Sequence, residues 1–184
     1  MLHIPAFLQM HCIFAGIMND LDFSRYADTI LQKHLTNYPC IAIVGPRQVG
    51  KTTTAKAIQQ HTERECIYLD LESDEDIQKL QNAEQYFNSR QDKLIILDEV
   101  QRDLRLFPLL RSVIDKNRTN GRFVLLGSAS PELLSSSSET LAGRIAYLEM
   151  HPLTYSEVKH DYPFQDLWLK GGFPAYFLQQ DLET

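Results

Sequence analysis

The stretch GPRQVGKTTT, residues 45–54, constrains the fold more than any other part of this sequence. It follows the apolar run CIAIV directly, and Gly45, Gly50, Lys51 and Thr52 fit the pattern G-x-x-x-x-G-K-[ST] at every position. Between a predicted strand and a predicted helix, this pattern forms a phosphate-binding loop. A chance match in a chain of this length is expected about once in a hundred sequences. The alternative is a glycine turn that merely caps a helix.

The residue types of this loop suit a polyphosphate. Backbone N–H groups of a tight loop at a helix N-terminus bind several negative charges without ordering side chains. Lys51 is expected to neutralise β- and γ-phosphate oxygens, and the Thr52 hydroxyl to coordinate a Mg²⁺ ion that bridges them. The predicted nucleotide-binding residues are Gly45, Pro46, Arg47, Gln48, Val49, Gly50, Lys51, Thr52 and Thr53.

Apolar runs of strand length recur along the chain, with helix-like stretches between them. The runs are CIAIV (40–44), CIYLDL (66–71), KLIILD (93–98), RFVLLG (122–127) and RIAYLEM (144–150). The predicted helices span residues 25–36, 51–61, 74–89 and 104–117, and SSSSET (135–140) is predicted to be a mobile loop. Strands without polar alternation, separated by helices, predict an α/β fold with a five-stranded parallel sheet.

Two adjacent acids end the third apolar run, in LIILDEVQ (94–101). Ligands of open α/β sheets collect at the carboxyl ends of the strands, so this pair is expected near the loop. Asp98 is predicted to hold the Mg²⁺ through its water shell. Glu99 is predicted to be the base that orients and deprotonates a water molecule for attack on the γ-phosphate. The alternative is that two acids end a strand by coincidence.

The fourth and fifth runs supply weaker candidates. In FVLLGSAS (123–130), Ser128 or Ser130 would lie near the γ-phosphate if this strand lies beside the first, and Ser128 is favoured; a simple turn gives the same pattern. In LAGR, Arg144 is a candidate to meet charge on the transferred phosphoryl group. Arg47 and Arg102 compete with Arg144 for this role, and for each of them a phosphate contact, a partner contact and a surface charge stay open.

The bulk properties set limits on function. A length of 184 residues suits one domain, or one domain and the beginning of another. The net charge of −6 disfavours nucleic-acid binding by the whole surface, although a local basic groove stays open. The three cysteines, Cys12, Cys40 and Cys66, lack zinc or redox spacing. They predict a reducing, cytoplasmic setting and roles in core packing.

The chain is predicted to have three regions and no membrane contact. No stretch reaches the roughly 18 to 20 apolar residues that a bilayer span needs. Residues 1–24 are predicted to be an extension, either disordered or assigned to a wrong start, because Met18 opens a sequence that resembles a natural beginning. Residues 25–152 are predicted to form the nucleotide-binding domain, and 153–184 a short helical segment.

Several strings together resemble the AAA-type predicted ATPases of bacteria and archaea, a mostly uncharacterised family. The resemblance covers roughly residues 25–178. Relatives of this kind continue into a C-terminal domain of unassigned activity, sometimes likened to a nuclease fold, so this chain is expected to be a fragment or a truncated product. The strings are GPRQVGKTT, YLDLE, LDEVQ, LFPLLRSVID, LLGSASPELL, ETLAGRIAYLEMHPL and LWLKGGFP.

The resemblance implies a P-loop NTPase fold of the ASCE/AAA type, a three-layer sandwich with strand order 5-1-4-3-2. It also implies ATP and Mg²⁺ as ligands. Lys51 and Thr52 would contact the phosphates and the metal, and Asp98 and Glu99 would be the metal and catalytic acids. Arg144 would belong to the functional set, acting either in its own subunit or in a neighbouring one.

Two hypotheses for function follow. The first is Mg²⁺-dependent ATP hydrolysis. The second is a nucleotide-dependent switch or DNA-associated module that binds ATP with little turnover, for which a homo-oligomer and a protein or DNA partner remain open. A GTP switch is disfavoured because no Asn-Lys-x-Asp stretch follows the fourth run. Glu99 disfavours a small-molecule kinase, which would not need a second, water-activating acid.

Overall fold

The computed structural model of the protein describes residues 25–178. The extension predicted for residues 1–24, including Met18 and Cys12, lies outside the described residues. Helices and strands alternate, as predicted. The elements are α1 (Tyr26–Asn37), β1 (Cys40–Val44), α2 (Lys51–His61), β2 (Cys66–Asp70), α3 (Asp74–Lys79), α4 (Ala83–Asn88), β3 (Leu94–Asp98), a 3₁₀ turn (Val100–Arg102), α5 (Leu106–Lys116), β4 (Phe123–Gly127), α6 (Pro131–Thr140), β5 (Ile145–Glu149), α7 (Tyr155–Val158), α8 (Phe164–Lys170) and α9 (Pro174–Phe177).

The five strands form one parallel sheet in the order β2-β3-β4-β1-β5. This is the predicted order, 5-1-4-3-2, written from the other edge. Val44 lies opposite both Gly127 and Glu149, and Asp70 lies opposite Asp98. The strands therefore all end along one side of the sheet, its carboxyl edge, and all begin along the opposite side, its amino edge. Every loop with a candidate residue except the one with Arg144 leaves from the carboxyl edge.

The sheet is the middle layer of three. Every residue of β1, β3 and β4 is buried, because helices cover both faces of these central strands. One core cluster, which includes Phe87, Leu110 and Phe123, lies on the α4–α5 face; the other, which includes Leu31, Ile43 and Ala55, lies on the α1–α2 face. Complete burial of a large apolar side chain contributes about 1.5–3 kcal/mol. Packing of the two clusters against both faces thus stabilises the sheet from whose carboxyl edge the loops leave.

Two predictions of local structure were wrong. The single helix predicted for 74–89 is two helices, α3 and α4, because the Asn82 side chain accepts the Gln85 N–H and begins a new helix. The stretch SSSSET, predicted to be a mobile loop, lies in α6. Ser130 caps this helix by accepting the Leu133 N–H, and the Ser137 hydroxyl donates to the Leu133 carbonyl over 2.6 Å. These local bonds and the buried Leu133 outweigh the low helix propensity of serine.

The chain after residue 152 consists of short helices. They enclose a small apolar cluster of their own, formed by Leu153, Val158 and Phe177. Gly172 packs directly against Leu153, since a β-carbon there would lie 2.6 Å from the Leu153 carbonyl oxygen. The boundary near residue 152 remains a prediction. Within residues 25–178, none of the helices combines the length and the apolar character that crossing a bilayer requires.

Candidate functional site

The loop between β1 and α2 turns tightly and lies close to the chain that follows β5. Gly45 passes so close to the chain after β5 that a β-carbon would lie 2.3 Å from the Met150 carbonyl oxygen. Gln48 and Gly50 have positive φ angles of 63° and 99°, which turn the chain sharply into the first residue of α2. Such a turn at a helix N-terminus is an anion-binding geometry.

Lys51 lies inside this loop. Its Nζ donates hydrogen bonds to the carbonyl oxygens of Gly45 (3.0 Å) and Pro46 (2.8 Å), and the residue is only 8% exposed. Burial lowers the pKa of the Lys51 ammonium, while the nearby charges of Glu99 and Asp98 act in the opposite direction. The Lys51 ammonium is therefore held at the loop by two carbonyl oxygens.

Asp98, the last residue of β3, is fixed by three donors. The Thr52 Oγ1 donates to Asp98 Oδ2 over 3.0 Å, and the Glu99 N–H donates to Oδ1 over 2.8 Å. The hydroxyl of Tyr68, on the neighbouring strand β2, also donates to Oδ2. Burial and the adjacent Asp98 raise the pKa of the Tyr68 phenol. The carboxylate is thus hydrogen-bonded to Thr52, in the first turn of α2.

Glu99 directly follows the end of β3. Its backbone is left-handed (φ 54°, ψ 42°), and its carboxylate accepts a hydrogen bond from the Gln101 side-chain amide. The Gln101 Oε1 is buried, without a hydrogen-bond partner among residues 25–178. This oxygen lies over Gly127, the last residue of β4, where a β-carbon would be 2.6 Å away. Gln101 therefore links Glu99 to the strand that precedes Ser128.

The two candidate serines differ in their environment. Because Gly127 lies opposite Val44, Ser128 follows β4 at the level at which Gly45 follows β1. The Ser130 hydroxyl is occupied as the cap of α6. The geometry therefore favours Ser128 as the residue near the phosphate loop.

The structure does not bring Arg144 to this site. Arg144 precedes β5, whose first residue lies opposite Cys40, so it occupies the other edge of the sheet from the loop. There its guanidinium makes a bidentate pair with Asp115 (2.6 and 2.9 Å). Of the two predicted alternatives for Arg144, action in its own subunit is therefore disfavoured by the distance from the loop, and action in a neighbouring subunit stays a prediction. Arg102 pairs with Glu72 on the surface, and Arg47 is an exposed residue of the loop.

The donor set fits Mg²⁺. Mg²⁺ prefers oxygen ligands and is commonly held by one or two protein groups together with substrate phosphates and water. The Thr52 hydroxyl and the Asp98 carboxylate supply such oxygens beside the loop. Among the described residues, no group of three or more His, Cys, Asp or Glu side chains forms a dedicated metal cage. A metal that binds only together with phosphates is consistent with both observations.

Three residues at or behind the site had no predicted role. Tyr68 and Gln101 contact the two acids, and Arg25 donates to the carbonyl oxygen of Val49 in the loop. A tyrosine in a half-buried strand and a glutamine two positions after an acid both have ordinary structural explanations. Tyr68 reaches the site through the register of β2 against β3, and Arg25 reaches the loop through the path of the chain before β1.

Comparisons with known proteins agree with the predicted family and fold. A family model described as an AAA domain matches residues 37–159. Uncharacterised proteins of Mycobacterium bovis and Mycobacterium tuberculosis are each 37% identical over 159 residues, which is 86% of this chain but only 35% of their own length. A Walker-type ATPase of Pyrococcus abyssi superposes with a TM-score of 0.56 at 17% identity, covering 85% of this chain and 66% of that one. The last similarity shows the fold alone.

Proposed function

Since this chain belongs to the AAA domain family, a largely uncharacterised family of P-loop ATPases, we propose that it binds ATP with Mg²⁺ at residues 45–53 and hydrolyses it. Binding of a nucleotide by the P-loop domain is the function that the family supports. The identity of the nucleotide, the metal and the hydrolysis step are the proposal. The chain spans about a third of the length of its mycobacterial relatives, and the proposal concerns this chain alone.

The contact between Thr52 and Asp98 is the observation on which the proposal depends. It joins the first turn of the loop helix to the end of β3 over 3.0 Å, with two oxygen ligands facing the same space. A glycine turn that only capped a helix would require neither a buried lysine inside it nor a carboxylate opposite it. Both are present here.

The residues of this chain divide the chemistry among them. The backbone N–H groups of residues 47–52 and the Lys51 ammonium would bind the phosphates. Thr52 and Asp98 would hold the metal. When bound, Mg²⁺ neutralises charge on the β- and γ-phosphate oxygens. Lys51 would exchange its hydrogen bonds to the Gly45 and Pro46 carbonyl oxygens for hydrogen bonds to phosphate. The buried ammonium would therefore have hydrogen-bond acceptors both before and after nucleotide binding.

Glu99 is the proposed general base. Its carboxylate would accept a proton from a water molecule as the water oxygen bonds to the γ-phosphorus, and the bond from that phosphorus to the β–γ bridging oxygen would break, so that ADP leaves with the electron pair. Ser128, which directly follows β4, would help to position the water. Gln101 holds the Glu99 carboxylate through its amide N–H. General-base catalysis of this kind contributes about 10²- to 10⁴-fold in rate.

One observation favours the second hypothesis, a switch with little turnover. Arg144 is paired with Asp115 at the far edge of the sheet, so it does not supply positive charge to the transferred phosphoryl group within this chain. Such an arginine contributes about 10³- to 10⁵-fold. If a second copy must provide it, a monomer would bind ATP and hydrolyse it slowly.

Phosphate release measured across protein concentrations tests the proposal. Turnover per subunit that is present at low concentration supports hydrolysis by the isolated chain. Turnover that rises with concentration supports an arginine donated between copies. Bound ATP with no phosphate release at any concentration supports the switch, and a protein that binds no nucleotide rejects both hypotheses.

A further inference from the structure

Arg25 connects the phosphate loop to two other parts of the chain. Its Nη1 donates to the Val49 carbonyl oxygen (3.2 Å), its Nη2 to the His151 carbonyl oxygen (2.6 Å), and its Nε to Glu157 Oε1 (3.0 Å). Arg25 is 5% exposed, and the Glu157 side chain is exposed to the same extent. A buried guanidinium thus contacts the loop, the segment after β5 and α7 at once.

The contact with Val49 lies where the loop turns most sharply. Val49 is fully buried and stands between Gln48 and Gly50, the two loop residues with clearly left-handed backbones. Its carbonyl oxygen accepts the hydrogen bond from Arg25 Nη1. A buried carbonyl without a donor is unfavourable, so loss of the guanidinium would allow the Val49–Gly50 peptide to rotate. Rotation of that peptide would disturb the N–H groups that bind phosphate.

Glu157 is fixed from several sides. Its Oε2 accepts hydrogen bonds from the backbone N–H and the hydroxyl of Thr154, both at 2.9 Å, and its Oε1 accepts from the Tyr26 N–H at 3.2 Å as well as from Arg25. Burial alone would raise the pKa of Glu157. The hydrogen bonds and the positive charge of Arg25 outweigh it, so the pKa is lowered and the carboxylate stays ionised.

We propose that Arg25 is a positioning residue for the phosphate loop, and that the Arg25–Glu157 pair couples nucleotide binding to the C-terminal segment, residues 153–178. This inference rests on the proposed function, since it concerns the same loop. Arginine is required because its planar fork reaches three acceptors in different directions, whereas a lysine offers one point of charge. Coupling of this kind is reciprocal: nucleotide that stabilises the loop also stabilises α7.

Calorimetric titration with Mg²⁺–ATP tests the first part. Arg25→Lys and Glu157→Gln are expected to weaken binding about tenfold. Glu157→Gln keeps the shape of the side chain but turns one acceptor into a donor that faces another donor. The control is Arg122→Lys: Arg122 is also buried and donates to the Phe87 carbonyl oxygen, but it directly precedes β4 at the amino edge of the sheet, away from the loop. Thermal unfolding of each variant identifies the temperature at which all are folded.

Hydrogen exchange tests the coupling. In the wild-type protein, Mg²⁺–ATP is expected to slow amide exchange in residues 155–158. In Arg25→Lys and Glu157→Gln, saturating nucleotide should leave that exchange unchanged, and in Arg122→Lys it should slow exchange as in wild type. A purely structural pair would destabilise the fold without changing this response.

The outcomes separate this inference from the proposed function. Wild-type protein that binds no nucleotide would reject the function, and the inference with it. Wild-type protein that binds, together with either Glu157→Gln or Arg25→Lys binding equally well, would overturn only the role of the pair. If Arg25→Lys does not fold, Glu157→Gln alone decides.

Discussion

The Thr52 hydroxyl and the Asp98 carboxylate meet over 3.0 Å although the two residues are 46 positions apart. The contact joins the end of β3 to the start of α2, the helix that follows β1, and in the sheet β4 lies between β3 and β1. It brings a phosphate-binding loop and a pair of acids to one edge. The proposed ATPase chemistry depends on this arrangement.

Glu99→Gln should retain ATP affinity and lose turnover. The amide cannot accept a proton, whereas the loop, Lys51 and Asp98 are untouched, so the rate should fall about 10²- to 10⁴-fold. Phosphate release and calorimetric affinity, measured on the same preparation, check this. Turnover equal to wild type would remove Glu99 as the base.

Gly127→Ala should reduce turnover more than affinity. A β-carbon there would lie 2.6 Å from Gln101 Oε1 and 3.0 Å from Leu133 Cδ1, so the glutamine must move and release Glu99. The same substitution in a Gln101→Ala background should have little further effect on kcat. An equal loss of kcat in both backgrounds would show that Gly127 acts through Leu133 instead.

Tyr68→Phe should raise the Mg²⁺ concentration that ATP binding needs. The phenol is one of the donors that hold Asp98 Oδ2, and its loss leaves the carboxylate less firmly directed at Thr52. Loss of one such hydrogen bond should also lower stability by about 0.5–1.5 kcal/mol. Titration of Mg²⁺ at fixed ATP measures the first effect, and an unchanged Mg²⁺ requirement would contradict it.

The contribution of Glu157 to stability should depend on pH. Its pKa in the folded protein is lower than the ordinary value of 4.5, so the ionised form is favoured by folding. The stabilisation is complete above pH 4.5 and is lost as the pH falls through the lower, folded-state value. Glu157→Gln should therefore be less stable than wild type at pH 7, by roughly 1–3 kcal/mol.

Thermal unfolding of both proteins between pH 7 and pH 3.5, at constant ionic strength, follows the difference. The gap in Tm between wild type and Glu157→Gln should narrow below about pH 4.5. A gap that stays constant with pH would show that the side chain acts by packing and not by its charge.

The sequence predicted the loop and the acid pair because each depends on short-range pattern. The phosphate loop is contiguous, and Asp98 ends an apolar run, so parallel pairing alone brings both to the carboxyl edge. The strands also agree with the prediction to within a residue at either end. The strand order was inferred from the family resemblance and is confirmed.

Other features depend on tertiary contacts that a pattern does not contain. Tyr68 reaches Asp98 only because Asp70 and Asp98 are in register, and Arg25 reaches Val49 only because α1 lies behind the loop. Arg144 is of a residue type that suits phosphate, but it precedes β5 and so lies at the amino edge of the sheet, opposite the loop. The serine-rich stretch is helical because of its cap and its buried leucine, which composition does not reveal.

Calorimetric titration of the wild-type protein and Lys51→Ala with ATP, in the presence and absence of Mg²⁺, tests the central claim most directly. The wild-type protein should bind ATP, and more weakly without the metal. Lys51→Ala should not bind it, because the cation inside the loop is gone, while the exposed control Lys33→Ala should bind as wild type. Equal binding by Lys51→Ala, or no binding by the wild-type protein, would contradict a nucleotide site in this loop.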